Sequence, residues 1–135
     1  MNWLLDTNVC IAVLNEHPAE VGRRVSEALA RGDSVRVSAV AIFELQYGIA
    51  RSARAAANEA KLSIFLGAVA QLPFDAEDAR TAGIIRAQLR KNGSPIGPYD
   101  VLIAGQALRR ELVLVTANIG EFARVAGLRV ENWAG

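Results

Sequence analysis

The chain has 135 residues, and its formal net charge is +1. A chain of 135 residues lies within the size range of one domain, so we expect a single folded unit over residues 1–135. The composition, 52% hydrophobic and 21% charged, excludes an intrinsically disordered protein. The single cysteine cannot form an internal disulfide, and no apolar run approaches the ~20 residues that span a bilayer. We therefore expect a soluble, cytoplasmic protein with no membrane partner.

Apolar residues in the first half of the chain alternate between the short runs of buried strands and the three-to-four-residue spacing of helices. In chain order they predict a strand at residues 2–5, helices at 9–14 and 18–30, a strand at 35–37, and a helical hairpin formed by 38–49 and 54–68. Asp6 follows the first strand, and Ser38 is placed to cap the helix that it precedes.

The second half of the chain repeats this alternation. In chain order it predicts a strand at residues 71–74, a helix capped by Asp75 that ends near 91, a helix at 98–110, a strand at 112–115, a helical turn near 121 and a strand at 128–130. Strands that alternate with helices predict an α/β fold in which helices flank a central, mainly parallel sheet.

Two polar residues stand where predicted strands end, Asp6 after the first strand and Thr116 after the strand at 112–115. Ligands of parallel sheets bind outside the carboxyl ends of the strands, so these two residues indicate a candidate site. A single Asp in this position is often a turn or N-cap residue, and this alternative remains open for Asp6.

Two further carboxylates lie on apolar helix faces. The residues three and four positions from Glu44 are mostly apolar, and those around Asp100 are too. Glu44 could instead form a salt bridge with Arg51 or turn to solvent, and an acid in the first turn of a helix, as at Asp100, is favoured by the helix dipole. Carboxylates that share one cleft repel each other, so a cluster of Asp6, Glu44 and Asp100 predicts a site for Mg²⁺ or Mn²⁺.

Other catalytic chemistries fit the sequence poorly. His17 is the only histidine and lies in a polar loop before Pro18, which indicates a surface residue. Cys10 lies in an apolar run and is expected to pack in the core. A Cys-His nucleophile and a structural zinc site are therefore not expected.

Five short motifs, in a fixed order, carry a family resemblance. They are LLDTNV at residues 4–9, FELQYG at 43–48, IGPYD at 96–100 followed by Ile103 and Ala104, VTANIGEF at 115–122 and GLRVENW at 127–133. Together they resemble a PIN-domain ribonuclease over nearly the whole chain. The last two motifs are similar to those of the VapC-type toxins of bacterial toxin-antitoxin pairs.

The resemblance implies a three-layer PIN fold and a Mg²⁺- or Mn²⁺-dependent endoribonuclease that cleaves structured RNA. It implies two further partners, a cognate VapB-like antitoxin that inhibits the enzyme and a second copy of the chain in a homodimer. The family's acidic site falls on Asp6, Glu44 and Asp100, and Thr116 matches its hydroxyl position. Gly105 stands where the family more often has alanine, a difference that we expect to affect packing rather than chemistry.

A second departure concerns the fourth acidic position, where this chain has Asn118 and many PIN domains have Asp. Glu121 lies three residues further on, so we predict that it completes the metal site, through water, with Asn118 in a supporting role. Alternatively, Glu121 is a simple acid at a helix start. Because Asn118 is neutral, we expect one tightly held ion rather than two.

Charge agrees with an RNA substrate once the metal site is considered. If metal offsets four of the 14 acidic residues, 15 basic residues remain against ten acidic ones.

Two other functions are compatible with a small α/β protein. A phosphoacceptor signalling module needs a second acid near Asp6 and a late lysine, but Thr7 and Ala117 stand there. A catalytically silent PIN-like interaction module remains the main alternative.

Overall fold

The computed structural model describes all residues from 1 to 135. The five strands are β1 (Asn2–Leu5), β2 (Ser34–Ser38), β3 (Ala70–Leu72), β4 (Val113–Val115) and β5 (Val130–Glu131). The seven helices are α1 (Thr7–Asn15), α2 (Ala19–Ala30), α3 (Ala39–Ala50), α4 (Ala55–Ala68), α5 (Ala76–Lys91), α6 (Pro98–Arg109) and α7 (Ile119–Phe122). None of these helices is long and apolar enough to cross a membrane.

The strands form one sheet in the order β3-β2-β1-β4-β5, and every neighbouring pair is parallel. The α/β prediction is confirmed, and the sheet is wholly rather than mainly parallel. Because crossovers between parallel strands are almost always right-handed, this order places α1 to α4 on one face of the sheet and α5 to α7 on the other. The central strands are buried, as expected for a sheet covered on both faces.

The chain changes direction across the sheet between β1 and β4. Strands β2 and β3 are added on one side of β1, and β4 and β5 on the other. Leu5 pairs with Val115 in the last register position of these two strands, so Asp6 and Thr116 leave the sheet side by side. The fold therefore creates a crevice at this edge, of the kind in which parallel α/β sheets bind their ligands.

Several predicted boundaries are corrected by one or two residues. Strand β3 ends at Leu72, before Pro73, because proline has no N–H to donate to a neighbouring strand. Helix α1 begins at Thr7 rather than residue 9, since the Asp6 carboxylate accepts a hydrogen bond from the Val9 N–H at 2.8 Å and caps the helix. Strand β5 starts at Val130, after a turn in which Gly127 has a φ of +82°.

Helix α6 is anchored at its C-terminal end by a buried carboxylate. Asp78 at the start of α5 is fully buried and accepts hydrogen bonds from Arg109 at 2.8 Å and from Arg110 at 3.1 Å. Burial alone would raise the pKa of Asp78, but these guanidinium groups and the Asp75 N–H hold it well below its usual range. The ion pairs fix one end of the helix that carries Asp100 at the other.

Helices α5 and α6 approach closely at Gly105. A Cβ atom added there would lie 2.7 Å from both the Cα and the Cβ of Ala82. The absence of a side chain at Gly105 therefore sets the distance between the two helices. This agrees with the expectation that glycine at this position affects packing.

We predict that Gly105→Ala lowers the free energy of unfolding by about 2 kcal/mol, because the added methyl group overpacks the helix interface. Urea denaturation measures the change. Gly83→Ala is the matched control, since Gly83 lies on the exposed side of α5 with no atom within 4 Å of the added Cβ. That substitution should leave stability unchanged or raise it by up to about 1 kcal/mol. Equal stability of the two variants would contradict the packing role of Gly105.

Candidate active site

Asp6 lies at the centre of the crevice and is 3% exposed. Its N–H donates to the Val115 carbonyl at 3.0 Å, which holds the residue against β4. One oxygen of its carboxylate caps α1, so the N-cap alternative is correct. Capping uses only this oxygen, so Asp6 is still available to the site. Burial raises the pKa of Asp6, the nearby Glu44 carboxylate adds to this, and the Thr116 hydroxyl and the Val9 N–H oppose it.

Thr116 is fully buried beside Asp6. Its N–H donates to the Glu131 carbonyl at 3.0 Å, and its hydroxyl oxygen accepts from the Asn118 N–H at 2.9 Å. The hydroxyl also lies near enough to the Asp6 carboxylate to lower its pKa. Thr116 therefore stabilises the ionised form of Asp6.

Glu44 faces the site from α3 and is half-buried. Its carboxylate accepts a hydrogen bond from the Thr7 hydroxyl at 2.7 Å. The proposed salt bridge to Arg51 is wrong, because the Arg51 guanidinium stacks over the Tyr47 ring, 4.7 Å from its centroid. A neutral hydroxyl thus orients Glu44 and leaves its charge uncompensated.

Asp100 occupies the third position of α6 and is half-buried. Burial raises the pKa of its carboxyl to about 6, and the charges of Glu121, Asp6 and Glu44 raise it further, in that order. Asp100 therefore lies close enough to the other three acids predicted for the site to be repelled by them. The carboxylate of Asp100 accepts no hydrogen bond from the protein.

Glu121 reaches the site from the short helix α7. One carboxylate oxygen accepts from the Gly97 N–H at 2.8 Å, and the other accepts a short hydrogen bond from the Asn118 side-chain amide. The supporting role predicted for Asn118 is therefore to hold Glu121. Sequence reasoning did not identify Thr7 and Gly97 as partners of these acids, because the contacts join residues 37 and 24 positions apart.

No lysine or arginine forms an ion pair with any of the four acids. All the ion pairs of the chain involve other carboxylates. No three His, Cys, Asp or Glu side chains converge closely enough to hold a metal ion on their own. This donor set fits Mg²⁺ or Mn²⁺, which are bound through one or two carboxylates and keep several waters. It does not fit a cation that needs a complete protein cage.

The other candidate catalytic groups stay outside the site. Cys10 is fully buried, and burial raises the pKa of its thiol far above its usual range. His17 is exposed in the loop after α1.

Residues 3–128 match the PIN domain family model. The chain belongs to the PIN-domain family. Its curated relatives include the tRNA(fMet)-specific endonuclease VapC of Shigella flexneri, 40% identical over 134 residues with 99% of both chains covered. Ribonuclease VapC2 of Rickettsia felis is 38% identical over 133 residues, with 98% of both chains covered. These relatives place this PIN domain in the VapC group.

Solved structures agree with this placement. The crystal structure of VapBC2 from Rickettsia felis bound to a DNA fragment from its promoter matches this PIN domain with a TM-score of 0.92 at 34% identity. The match covers 98% of this chain and 99% of that one. The three-layer arrangement inferred from the motifs is therefore confirmed.

We predict that Asp100→Asn raises the free energy of unfolding of the metal-free protein by about 1 kcal/mol at neutral pH. This value is smaller than the full pKa shift implies, because solvent screens the exposed part of the side chain. The reason is that the ionised carboxylate destabilises the folded state when its folded pKa is raised to about 6. The gain should shrink as the pH falls from about 6 towards about 4, where the parent carboxyl becomes protonated in both states.

Urea denaturation in the presence of a chelator, at several pH values, measures this difference. Glu77→Gln is the control, because Glu77 is an exposed acid in the first turn of α5, away from the cluster. It should give no gain. An Asp100→Asn variant less stable than the parent at pH 7 would show that the carboxylates are not in repulsive contact.

Proposed function

We propose that this protein is a metal-dependent endoribonuclease toxin that cleaves structured RNA and is inhibited by a VapB-like antitoxin. The observation that carries the proposal is the group of carboxylates without basic partners at the switch point of the sheet. The names of the two VapC relatives, a ribonuclease and a tRNA endonuclease, support the same activity.

Asp6 and Asp100 are the proposed direct ligands of one Mg²⁺ or Mn²⁺ ion, with Glu44 and Glu121 acting through water. The bound ion supplies charge neutralisation at the scissile phosphate and activation of water. Asp6 directly follows β1 and Asp100 lies in α6, so the two carboxylates approach the crevice from different parts of the chain. Their repulsion is relieved when a cation lies between them.

Glu44 and Thr116 have proposed supporting roles at the site. The Thr7 hydroxyl fixes one Glu44 oxygen, so the other is left to accept a proton or a hydrogen bond from the attacking water. The Thr116 hydroxyl beside Asp6 lowers the pKa of that carboxyl and so favours its ionised form. The hydrogen bond from Thr7 therefore reduces the motion of the Glu44 carboxylate.

The proposed substrate is RNA with an accessible loop. Offsetting the four site acids by metal leaves an excess of basic residues, which favours a polyanion. The Shigella relative is named for tRNA(fMet), so initiator tRNA is the first substrate to test. We also propose that the toxin acts as a homodimer in the cytoplasm, and sedimentation of the purified protein tests the dimer.

We predict that removal of divalent metal stops cleavage of initiator tRNA and that added Mg²⁺ or Mn²⁺ restores it, because a bound cation lowers the pKa of the attacking water and a carboxylate alone is a weak base. Ca²⁺ should support little turnover, since its looser coordination orients water poorly. Gel analysis of RNA fragments after exhaustive dialysis against chelator measures the effect. Undiminished cleavage after chelation would indicate a metal-free ribonuclease.

Asp6→Asn and Asp100→Asn should each abolish cleavage and cell toxicity while the fold is retained. Circular dichroism checks the fold, and Glu77→Gln serves as the active control. Cleavage by either site variant at the parent rate in Mg²⁺ would remove that residue from the site. A parent protein that binds metal but cleaves no RNA would favour the silent interaction module instead.

An apolar groove beside the acids is the proposed antitoxin surface. It lies between α1, α3 and α4 and has a volume of about 250 Å³. Its lining includes apolar side chains of α1 and α3, such as Leu14 and Ile49, together with Glu44 of the acid cluster. A bound segment could therefore place apolar side chains on the hairpin of residues 38–68 and one arginine on the acids.

We predict that the antitoxin inhibits by pairing an arginine with the acid cluster in place of the cation. Neutralising the basic residues of its toxin-binding segment should weaken the complex by about tenfold or more, as expected for loss of a charge-assisted pair. Calorimetry with the purified antitoxin measures this. In the same experiment, Leu14→Asp should weaken binding by placing a charge in the apolar lining of the groove. Complexes that form equally well without the basic residues would contradict the mechanism.

A further inference from the structure

Helices α5 and α6 carry an acid at the same position, three residues after the N-cap. In α5 this acid is Asp78, and it forms a capping box with Asp75. The Asp78 carboxylate accepts from the Asp75 N–H at 2.9 Å, and the Asp75 carboxylate accepts from the Asp78 N–H at 2.9 Å. A carboxylate in this position thus tends to bind the backbone of its own helix start.

The start of α6 is built differently. The N-cap is Gly97, and its N–H donates to Glu121 at 2.8 Å rather than to Asp100. The second Glu121 oxygen accepts from the Asn118 amide, so the Glu121 side chain is held at both oxygens. Glu121 therefore accepts the hydrogen bond from the Gly97 N–H that the Asp100 carboxylate would otherwise accept.

The missing side chain of Gly97 has an equally direct effect. A Cβ atom added at Gly97 would lie 2.9 Å from Oδ2 of Asp100. The backbone of Gly97 has φ −55° and ψ 148°, angles that any residue adopts, so its conformation does not require glycine. An added Cβ would instead displace the Asp100 carboxylate from its present position.

We propose that Glu121 and Gly97 are positioning residues that keep the Asp100 carboxylate from capping its own helix and leave it free to hold the cation. The inference rests on the proposed metal-dependent function and adds to the water-mediated role of Glu121. It makes hydrogen-bond acceptance, more than charge, the property of Glu121 on which metal binding depends. Gln can keep one acceptor for the Gly97 N–H, whereas Ala cannot.

The test is Mn²⁺ binding to the metal-free protein, measured by calorimetry without RNA. Glu121→Ala and Gly97→Ala should each weaken Mn²⁺ binding by about tenfold or more, and Glu121→Gln by no more than about threefold. Gly120→Ala is the matched control, because Gly120 is an exposed glycine one residue from Glu121 with no atom within 4 Å of an added Cβ. It should bind Mn²⁺ like the parent.

A crystal structure of metal-free Glu121→Ala supplies a readout that does not depend on metal or activity. It should show the Asp100 carboxylate within about 3 Å of the Gly97 nitrogen, as in the capping box of α5. Thermal unfolding checks that each variant is folded. If Glu121→Ala does not fold, Gly97→Ala tests the proposal alone, since it retains the Glu121 hydrogen bond and changes only the space beside Asp100.

The outcomes separate this proposal from the proposed function. A parent protein that binds no Mn²⁺ would overturn both. A parent that binds Mn²⁺, with Gly97→Ala binding equally well, would overturn only the positioning role. Equal losses in Glu121→Gln and Glu121→Ala would also overturn it, because they would show that the charge of Glu121, rather than its hydrogen bonds, is what the cation requires.

Discussion

Repulsion among four carboxylates is the constraint on which the rest of the structure depends. Asp6, Glu44 and Glu121 lie near enough to Asp100 for their charges to act on its carboxyl, and no basic side chain pairs with any of the four. In the absence of a cation this arrangement opposes folding, so it must be held by other contacts. Those contacts are neutral donors, namely backbone N–H groups, the hydroxyls of two threonines and the side-chain amide of Asn118.

Neutral donors have a functional consequence that arginine or lysine would not have. A basic residue in the crevice would neutralise the carboxylates and compete with a cation for them. The basic residues closest along α6 are instead at its opposite end, where Arg109 and Arg110 bind Asp78. Asp100 and Arg109 lie nine positions apart along α6, or roughly 14 Å at 1.5 Å per residue, so the positive groups are kept away from Asp100.

Much of the fold follows from local sequence, since apolar runs and helical spacing predict every strand and helix to within about two residues. The errors arise where one residue overrides a pattern, as when Pro73 ends β3. The acids of the site are also predictable, because Glu44 and Asp100 lie on apolar faces. Their hydrogen-bond partners are not, since the pairing of Thr7 with Glu44 and of Gly97 with Glu121 depends on how distant elements pack. The metal-ligand roles and the dimer remain predictions.

Helices α5 and α6 show why a carboxylate's place in its helix does not determine its role. Asp78 and Asp100 both lie three residues after an N-cap. Asp78 is buried more completely, yet two guanidinium groups keep its pKa low, whereas burial and neighbouring carboxylates raise the pKa of Asp100 to about 6. The first carboxylate is fully satisfied by the protein and stabilises the packing of α5 on α6. The second has no partner within the protein, and a group that is held in place but left without a counter-charge is suited to bind a ligand that supplies one.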